Sequence, residues 1–294
     1  MDLEEKKAWI AFSVFQGIGS VRFKLLLDYF GSAQKAFKAS EKSLREIGLG
    51  EKLVKDFLSF RKNFDGNSSF LRLKRLGIKV LFAEEENYPK LLKEIEDRPP
   101  VLYVKAREID QIFSEKTIAV VGTRKVTDYG RQVTKTITKG LVEAGFVIVS
   151  GLARGVDKIA HETTINNEGK TLAVLGGGLD LVYPPEHQDL AKRIVESGGA
   201  LISEFPLGQE TAPGNFPARN RIISGLSLGV VVTEAAEKSG SLITASRAAE
   251  QGREVFAVPG SITSPLSVGT TELIKKGAKV VTGIDDILAE LRYN

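Results

Sequence analysis

The sequence predicts an α/β fold: a doubly wound, mostly parallel sheet preceded by a small all-helical unit. Three observations carry this. From Lys116 onward, short β-branched apolar runs alternate with longer amphipathic stretches. Those runs are almost continuously apolar, as strands covered on both faces must be. The first 80 or so residues instead place apolar side chains at helical spacing, in Ala8-Trp9-Ile10, Phe12, Val14-Phe15 and again in Phe23, Leu25-Leu26-Leu27, Tyr29-Phe30.

The N-terminal punctuation is informative. Gly17-Ile18-Gly19-Ser20 and, 31 residues later, Gly48-Leu49-Gly50-Glu51 each separate an apolar segment from a helix-forming one. The pair resembles helix-hairpin-helix units, in which glycines permit a tight turn and free N–H groups at the next helix start can hold a phosphate. The same pattern serves equally as a plain joint between packed helices. Residues 84–100 then carry an acidic run and three prolines, which break regular structure. The expected domains are therefore 1–86, helical, and 87–294, the sheet.

Within the second domain the strands fall at 118–122, 146–150, 172–175, 200–203, 230–233, 254–258 and 279–282. Helical segments follow at 129–144, 156–168, 186–197, 219–226, 242–251, 270–276 and 285–291. Strands and helices alternating at this spacing demand parallel pairing with right-handed crossovers. The product is a Rossmann-like domain.

Composition narrows the function. The chain has 294 residues, 42% of them hydrophobic and 27% charged, with no run long and apolar enough to span a membrane. Met1-Asp2-Leu3-Glu4-Glu5-Lys6-Lys7 lacks the apolar stretch of a secretory signal, so a cytoplasmic protein without a membrane partner is expected. Absence of cysteine removes disulfides, thiolate metal sites and cysteine nucleophiles, and two histidines leave little for a metal cluster. Neither metal nor cofactor is expected. The net charge of +4 comes wholly from residues 1–86, which hold 16 basic and 12 acidic side chains; the rest balances at 25 and 25.

In a doubly wound sheet ligands bind beyond the carboxyl ends of the strands. Here those positions read Gly122-Thr123-Arg124, then Ser150-Gly151-Leu152-Ala153-Arg154-Gly155-Val156-Asp157, Gly176-Gly177-Gly178-Leu179-Asp180, Glu204-Phe205-Pro206 and Glu234 through Lys238-Ser239-Gly240-Ser241. Glycines admit a ligand close to the backbone, and helix-start N–H groups favour anions. Arg124, Arg154, Arg219, Arg221 and Lys238 would add five cations at one rim, enough for several phosphates. A solvated helix face is the alternative role for Arg219-Asn220-Arg221, and His161 and His187 read better as packing or capping residues than as catalysts. The dinucleotide pattern Gly-x-Gly-x-x-Gly is missing after the first strand, and no Walker loop follows the glycine triplet.

These blocks resemble the DprA/Smf family of bacterial DNA-processing proteins. The resemblance runs through Val121-Gly122-Thr123-Arg124, the 150–157 block with Ala160-His161, Gly176-Gly177-Gly178-Leu179-Asp180 with Tyr183-Pro184, and Ser203-Glu204-Phe205-Pro206. It continues through Phe216 to Ser227, Ser239 to Ala245 and Val258-Pro259-Gly260. It implies an extended Rossmann fold behind a helical SAM-like domain, binding of single-stranded DNA with little sequence preference, homodimerisation, delivery of the strand to the recombinase RecA in natural transformation, and no turnover. By matching position it assigns DNA contact to Arg124, Gly151, Arg154, Gly155, Arg219, Arg221, Lys238 and Gly240, and Gly122, Ser150, Asn220 and Ser239 of the same blocks are expected contacts with them. A single strand also needs aromatic platforms, and Phe205, Phe216 and Tyr183 lie beside the arginines in sequence, with core packing the rival role for each. It places dimerisation at 268–278, with Val268, Leu273 and Ile274 as interface residues unless the helix buries them internally. Thr271 stands where relatives commonly have asparagine. Some relatives add a C-terminal winged-helix domain, which is not expected here.

A competing expectation is a nucleotide-binding or nucleotide-hydrolysing enzyme of the lysine-decarboxylase-like phosphoribohydrolase group. Such enzymes carry Pro-Gly-Gly-x-Gly-Thr-x-x-Glu, whereas the comparable stretch here, Lys238 to Thr244, lacks the glycine pair and the glutamate.

Overall fold

The fold was analysed in a computed structural model that describes residues 1–109, 112–113 and 116–291. Six helices come first: α1 (Leu3–Val14), α2 (Ser20–Phe30), α3 (Ala33–Lys38), α4 (Glu41–Glu46), α5 (Glu51–Asn63) and α6 (Gly66–Arg75). Both glycine turns sit at helix starts, Gly19 before α2 and Gly50 before α5, and neither helix has a side-chain cap. Glu5 of α1 fastens the unit by accepting from the α3 backbone at Ala33 and Gln34 and from the Trp9 indole, each at 2.8 Å. Arg61 of α5 donates to the carbonyls of Phe37 and Ala39 at the end of α3.

The sheet contains β1 (Ile78–Phe82), β2 (Val101–Ala106), β3 (Thr117–Val121), β4 (Val147–Ser150), β5 (Thr171–Val174), β6 (Ala200–Ser203), β7 (Gly229–Val232), β8 (Glu254–Ala257) and β9 (Lys279–Val280). Their order is β1-β2-β6-β5-β4-β3-β7-β8-β9. Every pairing from β6 through β9 is parallel, so the expected doubly wound α/β sheet is present. The last strand is shorter than expected, because Thr282 and Gly283 turn their N–H groups to Asp286 instead of a neighbouring strand.

β1 and β2 were not among the expected strands. They pair antiparallel with each other and β2 pairs antiparallel with β6, extending the sheet past its parallel part. β1 precedes residue 86, so the described sheet begins within the segment read as helical. Between these two strands lies a short helix, α7 (Lys90–Lys93).

Side chains alternate across a strand, and the core follows that period. Ile118, Val120, Ile148, Val231 and Phe256 face one layer, with Ile137 and Leu141 of α8 (Asp128–Glu143) and Ile287 of α14 (Ile284–Leu291). Ala119, Val121, Val147, Val149, Val230 and Val232 face the other. That second apolar layer runs without a break into Trp9, Phe12, Phe23 and Phe57 of the helical unit. A polar contact crosses the same seam, Ser13 to the buried Tyr103 hydroxyl at 2.6 Å.

The remaining helices are α9 (Val156–Asn166), α10 (Gln188–Glu196), α11 (Asn215–Gly225), α12 (Gly240–Glu250) and α13 (Val268–Lys275). From β3 the chain winds outward through β4, β5 and β6; from β7 it winds the other way through β8 and β9. The connections therefore diverge between β3 and β7 and leave a crevice beyond their carboxyl ends. Among the described residues no helix is long and apolar enough to cross a membrane.

Candidate functional site

An open cleft of about 520 Å³ occupies that crevice, lined by residues following β3, β4 and β7 and by one side of α11. Arg124 and Lys125 leave β3 exposed, and Lys238 is exposed after β7. Among the described residues no carboxylate ion-pairs with any of these three cations, so their charge faces solvent unneutralised. Arg124 lies over the Phe216 ring at 4.9 Å from its centroid, and Phe216 approaches Tyr183 at 6.2 Å. Arg154 and Tyr183 belong to a narrower recess beside the cleft that shares Arg124, Phe216 and Arg219 with it. There the Arg154 guanidinium pairs with Glu186 at 2.5 Å, both side chains about half exposed. Solvent screens such an exposed pair, so it can be exchanged for a better anion.

Backbone geometry prepares the rest. Gly155 holds φ +75°, and a Cβ there would strike the Thr123 carbonyl, so only glycine lets α9 start this close to the β3 loop. The N–H groups of Arg154, Gly155 and Gly240 have no protein acceptor among the described residues. They lie at the starts of α9 and α12, where the helix dipole favours negative charge. Ser239 caps α12, and Asn220 Nδ2 donates to the Gly240 carbonyl at 3.2 Å, tying α11 to that start.

The buried groups beneath this surface are structural. Arg219 is 4% exposed and sends Nη1 to the carbonyls of Gly151 and Val174, both at 2.6 Å. Any side chain at 151 would occupy the place of that guanidinium. Burial pushes the Arg219 pKa down to about 10, against the field of Asp157. Asp157 is pushed up by its own burial, opposed by Arg219 and by the N–H groups of Gly151 and Ala153 that it accepts. Arg219 still lines the cleft, so it holds the β4 loop while adding positive potential below it. Ser150 is wholly buried and donates to the Val120 carbonyl, an inter-strand role rather than an exposed contact. Glu234 accepts from Thr127 N and Oγ1, at 2.9 and 2.5 Å, which fixes the start of α8.

Besides the buried Ser150, Arg221 and Phe205 also stand apart from the cleft. Arg221 is 7% exposed and committed to Glu204 at 2.5 Å and Asp97 at 3.4 Å. Residues two apart on a helix point about 200° apart, so Arg219 and Arg221 cannot face one groove together. Phe205 lies instead in a separate cavity against the helical unit. The cleft adds residues beyond the assigned contacts: Lys125, Ser241 and Thr244. Lys125 directly follows Arg124 beyond a strand end, which was the available signal; Ser241 and Thr244 are recognisable only by facing inward from the first turns of α12.

His161 and His187 are both buried. His187 Nδ1 lies 2.8 Å from the Leu152 carbonyl, and His161 Nδ1 lies 2.7 Å from Thr171 Oγ1. No group of three or more His, Asp or Glu side chains among the described residues is placed to hold a metal ion. At the far end of the sheet Val268 is exposed, while Leu273 and Ile274 of α13 are half-buried. Leu273 and Leu242 flank a groove between α12 and α13.

Comparison with known proteins places this geometry. The chain is 41% identical over 291 residues to Protein Smf of Synechocystis, covering 98% of this chain and 73% of that protein. It is 45% identical over 215 residues to DNA processing protein DprA of Bacillus subtilis, covering 73% and 72%. The X-ray structure of DprA from Streptococcus pneumoniae superposes with a TM-score of 0.83 at 35% identity over 98% of both chains. DNA processing protein A from Helicobacter pylori, whose structure describes a single-stranded DNA binding mode, gives 0.65 at 32% identity, covering 74% of this chain and 96% of that one. The family described as DNA recombination-mediator protein A matches residues 79–292, and this chain belongs to that DprA/Smf family.

Proposed function

We propose that this protein binds single-stranded DNA in the cleft between β3 and β7 and loads the recombinase RecA onto it as a non-catalytic homodimer in the cytoplasm. The observation that carries the reading is the Arg124–Phe216 pair: a free cation and an aromatic face meet at the mouth of a cleft with unpaired backbone N–H groups. A single strand offers repeating phosphates and unstacked bases, and this pairing answers both without reading base identity. Arg124, Lys125, Arg154 and Lys238 face the backbone, the N–H groups of Arg154, Gly155 and Gly240 donate to phosphate oxygens, and Phe216 with Tyr183 receives bases. Gly122, Gly151, Arg219, Asn220 and Ser239 shape the cleft around them. Arg221 holds the fold.

Binding rather than turnover fits the one carboxylate that lines the cleft among the described residues. Asp157 is buried and already accepts two backbone N–H groups, so it is poorly placed to activate water. The homologue from Helicobacter pylori, described by its single-strand binding mode, supports the choice of ligand. Dimerisation is assigned to α13 and the exposed edge beside it.

A filter-binding titration of single strand, duplex and free mononucleotides, with product analysis of the last, tests the reading. Single strand is retained in preference to duplex and the mononucleotides are recovered intact. Release of a free base would instead assign the cleft to a hydrolase. RecA loading is checked by the lag before strand-dependent ATP hydrolysis by RecA, which this protein shortens.

A further inference from the structure

We propose that the cavity of about 260 Å³ between the helical unit and the sheet is a base pocket, taking one unstacked nucleobase of the same strand that the cleft holds. The proposal rests on the single-strand reading above and extends it to a second concavity.

The cavity is walled by Phe15, Phe23 and Phe205, with Gln16 and Gln209 contributing amides. Neither glutamine side chain hydrogen-bonds to another protein group among the described residues. Aromatic walls with free amide donors and acceptors suit a flat ligand that has a π-face and a polar edge, and an unstacked base has both. An aliphatic ligand would leave the amides unsatisfied.

Continuity with the cleft identifies where that base comes from. Phe205, Pro206 and Gln209 line this cavity, while Thr211, two residues after Gln209, lines the recess that holds Arg154 and Tyr183. One loop thus forms a wall of each concavity, and a strand leaving the recess over that loop meets Phe205 next. Phe205 is the aromatic residue that the main cleft leaves unused.

Gly19 is the other pointer. Its backbone is extended, at φ −85° and ψ −175°, which any residue adopts, and a Cβ built there meets nothing within 4 Å. Serine or aspartate at this position would cap α2 better than glycine does. Neither strain nor crowding accounts for glycine at 19, whereas an occupant passing close to the backbone does, because Gly19 lines the cavity.

Two variants test this from opposite sides: Phe205→Ala removes a wall, and Gly19→Leu adds apolar bulk at a lining position where a Cβ meets nothing within 4 Å. Affinity is measured by fluorescence anisotropy for labelled oligothymidylates of increasing length. Beyond the length at which the strand reaches the second cavity, both variants bind roughly 5- to 160-fold more weakly than the parent, the span expected for one lost stacking contact. Below that length both match the parent, while Arg124→Ala is weak throughout. Equal loss at every length, or no loss in Gly19→Leu, overturns the base pocket and leaves the cleft standing. If the parent protein retains no oligothymidylate of any length, the single-strand reading fails and the pocket falls with it.

Discussion

The guanidinium of Arg124 rests over the ring of Phe216, 4.9 Å from its centroid, and Phe216 rides on the helix whose Arg219 reaches down to the carbonyl of Gly151. Two strand-end loops and α11 are thereby locked together before any ligand arrives. A side chain held in place by its neighbours loses little entropy on binding, so its contact energy is retained.

Replacing Arg124 by alanine weakens single-strand binding and makes its salt dependence shallower. Each phosphate neutralised on a single strand contributes a log–log slope of about −0.7, and loss of one contact reduces the slope by about that amount. Titrations at four or more salt concentrations read this directly. A parent protein whose affinity ignores salt would contradict a cationic cleft.

Phe216→Leu separates stacking from charge. It keeps apolar bulk but removes the π-face, so affinity falls by about 1–3 kcal/mol while the salt slope stays at the parent value. Comparing the two variants side by side makes the assignment specific: one changes the slope, the other only the intercept. If Phe216→Leu flattened the slope as well, the ring's main task would be holding Arg124.

Arg221 makes the opposite prediction from the one its sequence neighbourhood invites. Removing it leaves Glu204 buried without its partner, and such losses cost about 3–5 kcal/mol of stability. Arg221→Ala therefore lowers the urea midpoint markedly, while the folded fraction binds single strand as the parent does. Burial alone would raise the Glu204 pKa, and Arg221 opposes that, so loss of the cation lets Glu204 take up a proton. Partial recovery of Arg221→Ala by a second change, Glu204→Gln, confirms that the defect is an orphaned charge.

Which parts of this were legible depended on the range of the interaction. The parallel strands announce themselves because Val147–Ser150 or Gly229–Val232 must be apolar on both faces, and the glycines after them mark where chain direction reverses. β1 and β2 were hidden because Ile78-Lys79-Val80-Leu81-Phe82 follows a helical run directly, and its partner Val101–Ala106 lies beyond an acidic, proline-rich segment. Antiparallel pairing across such a gap leaves no local period. For the site, Arg124 and Lys238 were recognisable as strand-end cations. Arg221 was not separable from Arg219 by composition, although helix geometry sets them on different sides and Glu204, after another strand, claims one of them.

Self-association is expected at α13. A charge placed in an apolar interface is costly when unpaired, so Leu273→Glu converts a dimer to a monomer in sedimentation velocity. Leu273 is only half-buried within the subunit, and the change is tolerated better there than at a sealed core position. Far-ultraviolet circular dichroism equal to the parent's shows that the fold survived. A dimer that persists in the variant moves the interface to another face.

His161 gives the fold a defined response to acid. Thr171 Oγ1 donates to the Ile148 carbonyl, so it must accept from His161 Nδ1, which fixes the neutral ring with its proton on Nδ1. Nε2 is buried without a partner, and burial, reinforced by the nearby His187 and Arg219, lowers the pKa to about 3. The folded value therefore lies below the unfolded value of 6.5. Between the two the unfolded chain binds a proton that the native protein refuses, so stability falls as pH drops through 6.5 toward 3 and is unaffected by this group above 6.5. From pH 7.5 to 5.5 the loss is on the order of 1 kcal/mol, a window above the ordinary carboxylate range. His161→Asn keeps an amide donor near Nδ1 and removes the titration. The variant starts less stable but loses correspondingly less on acidification, as urea midpoints at the two pH values read out. Equal acid sensitivity in parent and variant would assign the response to another group.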